Sequence, residues 1–299
     1  MGSAIKAVRL NLDSAFFGGS DFMLFHAWGD NGQSPQDMHF HDDYLISAQI
    51  GGTDRCTVGL DHYEFTPGDL VLINPDQPHT GNEDGPLGNE YVSLYVSRRM
   101  VHSIASQMGG DTHLVQFTEV MARNAKDIFE RMIMLFESSR VGCDGTVCSV
   151  SVVALAEEIV QECLQRHSNI FEPRKLGTKR IRCWRIAKVV KELEEMSMTE
   201  LSEPISLVHL ARVAGVSRYH FLRRFSENVG MTPGRYARML RSCRAGRQLR
   251  QTDASITEIA LGVGFSDNTA FSRSFTNQMH ITPSDYRRLG RVGDGATAD

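Results

Sequence analysis

The sequence predicts an α+β multidomain chain: an N-terminal antiparallel β-barrel, jelly-roll-like, with a helical hairpin, then an all-α domain holding two helix-turn-helix units. Three observations carry this. Strand-forming runs punctuated by turn residues fill Phe22 to Val96, the apolar spacing switches to three and four residues after Leu114, and residues 205–236 repeat at 256–286. With 299 residues and 41% apolar content, the chain is long enough for two cores.

The barrel comes first, over residues 1–112. Leu45 to Ile50 runs into Gly51-Gly52, Cys56-Thr57-Val58 into Gly59, and Leu70 to Ile73 lies between Pro67-Gly68-Asp69 and Asn74-Pro75. Six or more such runs within 75 residues suit an antiparallel sandwich or barrel, because Gly, Pro and Asn at the joints supply the turns. Residues 113–168 form the hairpin. Ile128, Met132, Leu135 and Phe136, then Val152, Leu155, Ile159, Val160 and Cys163, lay one apolar face along each of two helices. Those faces must be covered by the sheet or by the same helices of a second copy, and the segment is expected to pack on the barrel and to make a homodimer contact. Pro173 and Gly177 among five basic residues mark 169–182 as a linker. From 183 to 289 every segment reads helical, and 290–299, rich in small residues, reads as a disordered tail.

Charge divides the chain in the same place. Residues 1–175 carry 12 Lys+Arg against 24 Asp+Glu, a net of −12, whereas residues 176–299 carry 20 against 12, a net of +8. The basic part is suited to a polyanion, and the acidic part is kept away from one. The apolar runs fall short of the ~20 residues of a membrane-spanning helix. The N-terminus has no signal-type apolar core, so a cytoplasmic protein without membrane contact is expected. The cysteines at 56, 143, 148, 163, 183 and 243 form no C-x-x-C pair and read as reduced thiols.

The duplication carries the function. Ala211 overlays Ala260, Gly215 overlays Gly264, Phe225 overlays Phe275, and Thr232-Pro233 overlays Thr282-Pro283, at offsets of 49 to 50 residues. Each copy reads as a helix, a glycine turn and a second helix, with Ser217 or Asp267 as the N-cap of the second. At ~100° per residue, Phe221 and Phe225 fall on one side of that helix, with Tyr219, Leu222, Arg223 and Ser226 on the other. Phe271 and Phe275 likewise oppose Thr269, Ser272, Arg273 and Thr276. An arginine on the free face of a helix in a major groove can donate two hydrogen bonds to a guanine. It can equally pair with a carboxylate or a phosphate. Between the copies, Arg238, Arg241, Arg244, Arg247 and Arg250 recur every three residues; this step drifts around a helix, so some should pair with Glu or cap loops and others contact phosphates. The joining helix fixes the separation of the units, the natural one being about one DNA turn, or ~34 Å.

Residues 183–289 resemble the DNA-binding domain of the AraC/XylS family of bacterial transcription regulators. The resemblance rests on Leu210 to Ser217, Gly230-Met231-Thr232-Pro233, Arg241 with Arg244-Ala245, Ile259-Ala260, Gly264-Phe265-Ser266, Phe271 to Phe275, and Thr282-Pro283 before Tyr286-Arg287. It implies that Tyr219, Leu222, Arg223, Asn268, Thr269 and Arg273 face the bases, Leu222 standing where a polar residue is common. It further implies double-stranded promoter DNA as partner, and RNA polymerase if the protein activates.

In the first half, His39-Phe40-His41 before Asp42-Asp43-Tyr44, and Pro67-Gly68-Asp69 leading to Pro78-His79, resemble the two motifs of cupin barrels, the usual sensor domain of that family. Metal cupins use an H-x-H pair, a carboxylate and a later histidine. His39, His41 and His79 fill the histidine places, and strand alternation sets His39 and His41 on one face, but Asp42 and Asp43 fit the carboxylate spacing poorly. The expectation is therefore no metal and no cofactor, with the histidines structural or hydrogen-bonded to a ligand. The expected lining for a small polar effector is Trp28, His39, His41, Tyr44 and His79. A filled barrel serving as scaffold, a metal-dependent cupin enzyme with a helical appendage, and a protein-recruiting scaffold are the competing readings.

Overall fold

A computed structural model describes residues 6–11, 14–18, 21–27, 36–81, 89–112, 114–139, 149–172, 184–199, 206–279 and 281–290. The first half contributes β1 (Lys6–Asn11), β2 (Ser14–Gly18), β3 (Phe22–Ala27), β4 (Gln36–His39), β5 (Tyr44–Gly51), β6 (Asp54–Val58), β7 (Asp61–Phe65), β8 (Leu70–Ile73), β9 (His79–Gly81), β10 (Glu90–Val96) and β11 (Met121–Ala122). They form two antiparallel sheets, ordered β1-β2-β3-β10-β5-β8-β11 and β4-β9-β6-β7. The expected barrel is therefore a jelly-roll-like pair of facing sheets: among the described residues the two strand orders end on free edges and do not join into a ring.

Period-two alternation assigns the two faces of the larger sheet. Leu24, Tyr44, Ile46, Leu72, Val92 and Leu94 point to one side, where α1 (Arg98–Gln107), α2 (Lys126–Ser139) and α3 (Ser149–His167) cover them. Leu45, Val71 and Ile73 point to the other, meeting Cys56, Val58 and Phe65 of the smaller sheet. The sequence reading did not anticipate α1, although Ser97 caps it by accepting from the Met100 N–H at 3.1 Å. The apolar faces of α2 and α3 lie on the sheet: Ile128, Met132, Leu135, Val152, Ile159, Val160 and Cys163 are all buried there. Sheet and helices thus share one core across residue 112. The ordered body also runs past 169, where the Asn169 side chain accepts from the Gln116 N–H and donates to the Leu114 carbonyl, both at 2.8 Å. Of the expected linker, 169–182, residues 173–182 lie outside the described residues; of the expected tail, 290–299, Gly290 ends the last helix and 291–299 lie outside the described residues.

The second half contains α4 (Trp184–Thr199), α5 (Leu207–Ala214), α6 (Arg218–Val229), α7 (Pro233–Gln251), α8 (Ile256–Gly262), α9 (Asn268–Met279) and α10 (Pro283–Gly290). The duplication read in the sequence is a duplication of contacts. The Val216 N–H bonds the Ala211 carbonyl at 3.1 Å, and the Phe265 N–H bonds that of Ala260 at 3.0 Å. Gly215 and Gly264 hold φ of +64° and +88°, the left-handed region in which a Cβ is costly. Phe221 and Phe225 meet edge-on at 5.6 Å and Phe225 meets Tyr236 at 5.8 Å; correspondingly, Phe271 and Phe275 meet at a tilt at 5.5 Å and Phe275 meets Tyr286 at 5.2 Å. The joining helix α7 is buried on most of its circumference. Tyr236, Met239, Leu240 and Cys243 belong to the first core, and Ala245 and Leu249 to the second.

Neither core belongs to the second half alone. Phe40 is fully buried in the first, and Met23, Phe25 and Ala27 of β3 enter the second. No described helix is long and apolar enough to cross a membrane.

Candidate functional site

Two helices, α6 and α9, have the form of a reading surface. Ser217 caps α6 by accepting from the His220 N–H at 3.4 Å, and Asp267 caps α9 by accepting from the Ala270 N–H at 2.7 Å. Their phenylalanines are fully buried, so each helix has one fixed face and one free face. On the free faces Tyr219 is 73% exposed, Arg223, Asn268, Thr269 and Arg273 are exposed, and Leu222 is half-buried. The Arg223 Nε donates to Glu227 Oε1 at 2.7 Å, an exposed pair one turn apart. Such an exposed pair holds the guanidinium only weakly, which leaves it free to exchange partners.

Two of the arginines of α7 find aspartates of the first half as partners, where glutamates or loop caps were expected. Arg247 Nε lies 2.8 Å from Asp42 Oδ2, and Arg250 Nη2 donates to both carboxylate oxygens of Asp43 at 2.9 and 3.1 Å. Arg98, from α1, donates to Asp42 at 3.0 Å and to Asp76 at 2.5 Å. The aspartates whose spacing fitted a metal poorly are therefore partners of arginines.

The sensor residues separate into two groups. The rings of His39 and His79 lie 4.3 Å apart, those of His41 and His79 5.0 Å, and those of His41 and Tyr95 5.1 Å. Each imidazole donates Nδ1–H to a backbone carbonyl two residues away: His39 to Asp37 at 2.9 Å, His41 to Asp43 at 2.7 Å and His79 to Gln77 at 2.8 Å. This fixes the tautomer and leaves Nε2 as the acceptor. The Nε2 of His41 is buried with no hydrogen-bond partner. Tyr44 is not part of this group. It lies on the opposite face of the larger sheet, its hydroxyl donating to the Val115 carbonyl at 2.7 Å, because its register on β5 turns it towards the helices. Trp28 lies outside the described residues. Among the described residues, no group of three His, Cys, Asp or Glu side chains is arranged to hold a metal ion.

Burial pushes His41 down to about 4, with the neighbouring His39 adding to it, and pushes His79 down to about 3. Burial also raises Asp42 to about 6, against the pull of Arg98 and Arg247. Below its ordinary value of 6.5, each of these histidines is protonated in the unfolded chain but not in the fold, so stability is lost as pH falls from 6.5. Asp42 acts the other way, the fold binding its proton first. Between pH 6 and 4 Asp42 offsets one of the two histidines, so these three groups together still destabilise the fold as pH falls. In urea unfolding across that range, His79→Leu should lose less stability with falling pH than the parent. An unchanged slope in the variant would contradict the assignment.

The comparisons with known proteins follow this division. Residues 23–146 match the family described as AraC-like ligand binding domain, and residues 210–289 match the one described as Helix-turn-helix domain. The regulatory protein SoxS of Escherichia coli (strain K12) is 32% identical over 100 residues, covering 33% of this chain and 94% of SoxS. The chain belongs to the AraC family of transcription regulators. Over a longer span, this AraC-family chain is 25% identical to the uncharacterized HTH-type transcriptional regulator YbfI of Bacillus subtilis (strain 168), across 234 residues, 77% of this chain and 79% of YbfI. Apo ToxT from Vibrio cholerae, solved as a point variant, shares the fold at a TM-score of 0.51 and 14% identity, covering 91% of this chain and 98% of ToxT. The protein is thus a DNA-binding transcription regulator of the AraC type, with a ligand-binding domain of that family ahead of its helix-turn-helix units.

Sequence reasoning missed the residues that join the halves: Phe40, Asp42, Asp43 and Gln278. Alternation over Met38 to Asp42 and the excess of arginine on α7 were visible, but nothing in the sequence pairs one with the other.

Proposed function

We propose that this AraC-family regulator reads promoter DNA with α6 and α9 in neighbouring major-groove segments, under the control of a small polar effector bound at the imidazole cluster. The observation that carries the DNA half is the equivalent exposure of two residue sets, Tyr219, Leu222 and Arg223 on α6, and Asn268, Thr269 and Arg273 on α9. Each set stands on a helix whose phenylalanine pair is buried. Arg223 and Arg273 would donate to base edges, and the remaining residues would complete the readout.

The effector half rests on His39, His41 and His79. Neutral imidazoles that already donate Nδ1–H to the backbone offer acceptors, which suit a ligand bearing hydroxyl or amine donors. Its binding would shift DNA affinity only through different affinities for two arrangements of the protein. Pairing of two copies through the α2–α3 segment, contact with RNA polymerase at an activated promoter and a cytoplasmic location belong to the same proposal.

A duplex selected by the intact chain from a random-sequence pool tests the DNA half. Arg223→Ala and Arg273→Ala should each cost ~1–3 kcal/mol of discrimination at one base position, a different position for each variant. Uniform weakening over all sequences would make both arginines phosphate contacts and overturn the readout.

A further inference from the structure

The segment 37–43 of the sensor lies lengthwise on the joining helix. Asp37 Oδ2 is 3.2 Å from Arg235 at the start of α7, and Asp43 holds Arg250 at its end. The two contacts stand fifteen helical residues apart, about 22 Å, so the segment lies beside α7 between its two ends. In the middle, Phe40 touches both helix-turn-helix units at once. Its ring meets Tyr236 at 4.8 Å in the first core, while its carbonyl accepts from Gln278 Nε2 of α9 at 2.8 Å. Met38 covers Gly230 so closely that a Cβ there would lie 2.9 Å from the methionine Cε.

From Met38 to Asp42 the side chains alternate in direction. Met38, Phe40 and Asp42 face the DNA-binding domain, and His39 and His41 face His79 and Tyr95 inside the sensor. The bend at Asp42–Asp43 then turns Asp43 to Arg250 as well. We infer that residues 37–43 are a strap that positions the two helix-turn-helix units relative to one another, and that it carries any displacement of the imidazole cluster to both of them. Phe40, Asp42 and Asp43 are positioning residues for DNA recognition. The free faces of α6 and α9 stay exposed while the strap is seated, so the strap presents the pair in a fixed geometry and does not cover it. The paired geometry rests on the reading of α6 and α9 proposed above; the transmission needs no bound effector.

The test uses the full chain, the duplex it selects from a random pool, and the same duplex with the part protected by α9 scrambled. Asp43→Asn should weaken binding to the intact duplex tenfold or more and change binding to the scrambled one by less than twofold, since a second reading helix helps only when it is held in register. Arg250→Gln should do the same, and the double variant should be no weaker than either single variant. Phe40→Leu, which keeps an apolar plug, and Asp37→Asn, at the exposed end of the strap, give the same comparison with smaller losses if the buried pair proves essential for folding. Intact-duplex affinity within twofold of the parent in all folded variants, or parallel losses on both duplexes, would overturn the strap. For transmission, His79→Leu should shift intact-duplex affinity at least threefold in the parent and by less than half as much in the Asp43→Asn background. No shift in the parent, or an equal shift in both, would overturn it. A chain that selects no duplex at all would instead refute the DNA reading.

Discussion

Phe271→Ala is expected to remove about 3–5 kcal/mol from the stability of the DNA-binding half, and Phe221→Ala a similar amount from the first unit. Both rings are fully buried, and each packs at a steep angle against the phenylalanine one turn later, at 5.5 and 5.6 Å. Truncation removes the transfer free energy of the ring and opens a space that its neighbours cannot close, because α7 and the adjoining helices already fix the walls. Domains of this size have ~5–15 kcal/mol in total, so either variant should sit near the folding threshold at 37 °C. Tyr219→Ala on the free face of α6 should change stability by less than about 0.5 kcal/mol while affecting DNA binding. Urea unfolding followed by far-ultraviolet circular dichroism separates the two cases. Losses of equal size at 219 and 271 would show that the free and fixed faces are wrongly assigned.

Asp43→Ala should be as damaging, at about 3–5 kcal/mol, through charge instead of volume. The Arg250 side chain is only 9% exposed and that of Asp43 3%. Removing the carboxylate leaves a guanidinium with little water, facing the ring of Tyr286 at 5.2 Å and the more distant charge of Asp42. The double replacement Asp43→Ala with Arg250→Met should recover most of the loss, because desolvating the pair cancels much of its attraction and an apolar side chain fills the same place. A double variant as unstable as the single one would mean that Asp43 matters for something other than holding Arg250. The hydrogen bond from His41 Nδ1 goes to the backbone carbonyl of Asp43, and it survives either change.

Residue placement shows what could be read in advance and what could not. Local chemistry was legible wherever one short window contained the whole cause. Gly215 and Gly264 mark turns by their φ, Ser217 and Asp267 cap the helices that follow, and the phenylalanine pairs at four-residue spacing define which face is buried. The helix α1 was missed although Ser97 and the spacing of Met100, Val101, Ile104 and Ala105 signalled it, because ten residues between strands leave little periodicity to detect. Tyr44 is expected beside the histidines as a lining residue of the barrel. Its register on β5, set by pairing with β10 and β8, turns it to the other face.

The duplicated helix-turn-helix units, their free faces and the family were legible in the sequence, since the turn, cap and face signals of each unit lie within about fifty residues. The tertiary structure alone decided where the acidic first half meets the basic second half. Asp42 and Asp43 lie some two hundred residues from Arg247 and Arg250. An aspartate beside a histidine pair reads the same whether it faces a metal, solvent or an arginine. Only the packing of residues 37–43 along α7 selects the arginine, because burial makes an unpaired charge too costly and leaves each carboxylate one nearby partner of opposite sign on that helix.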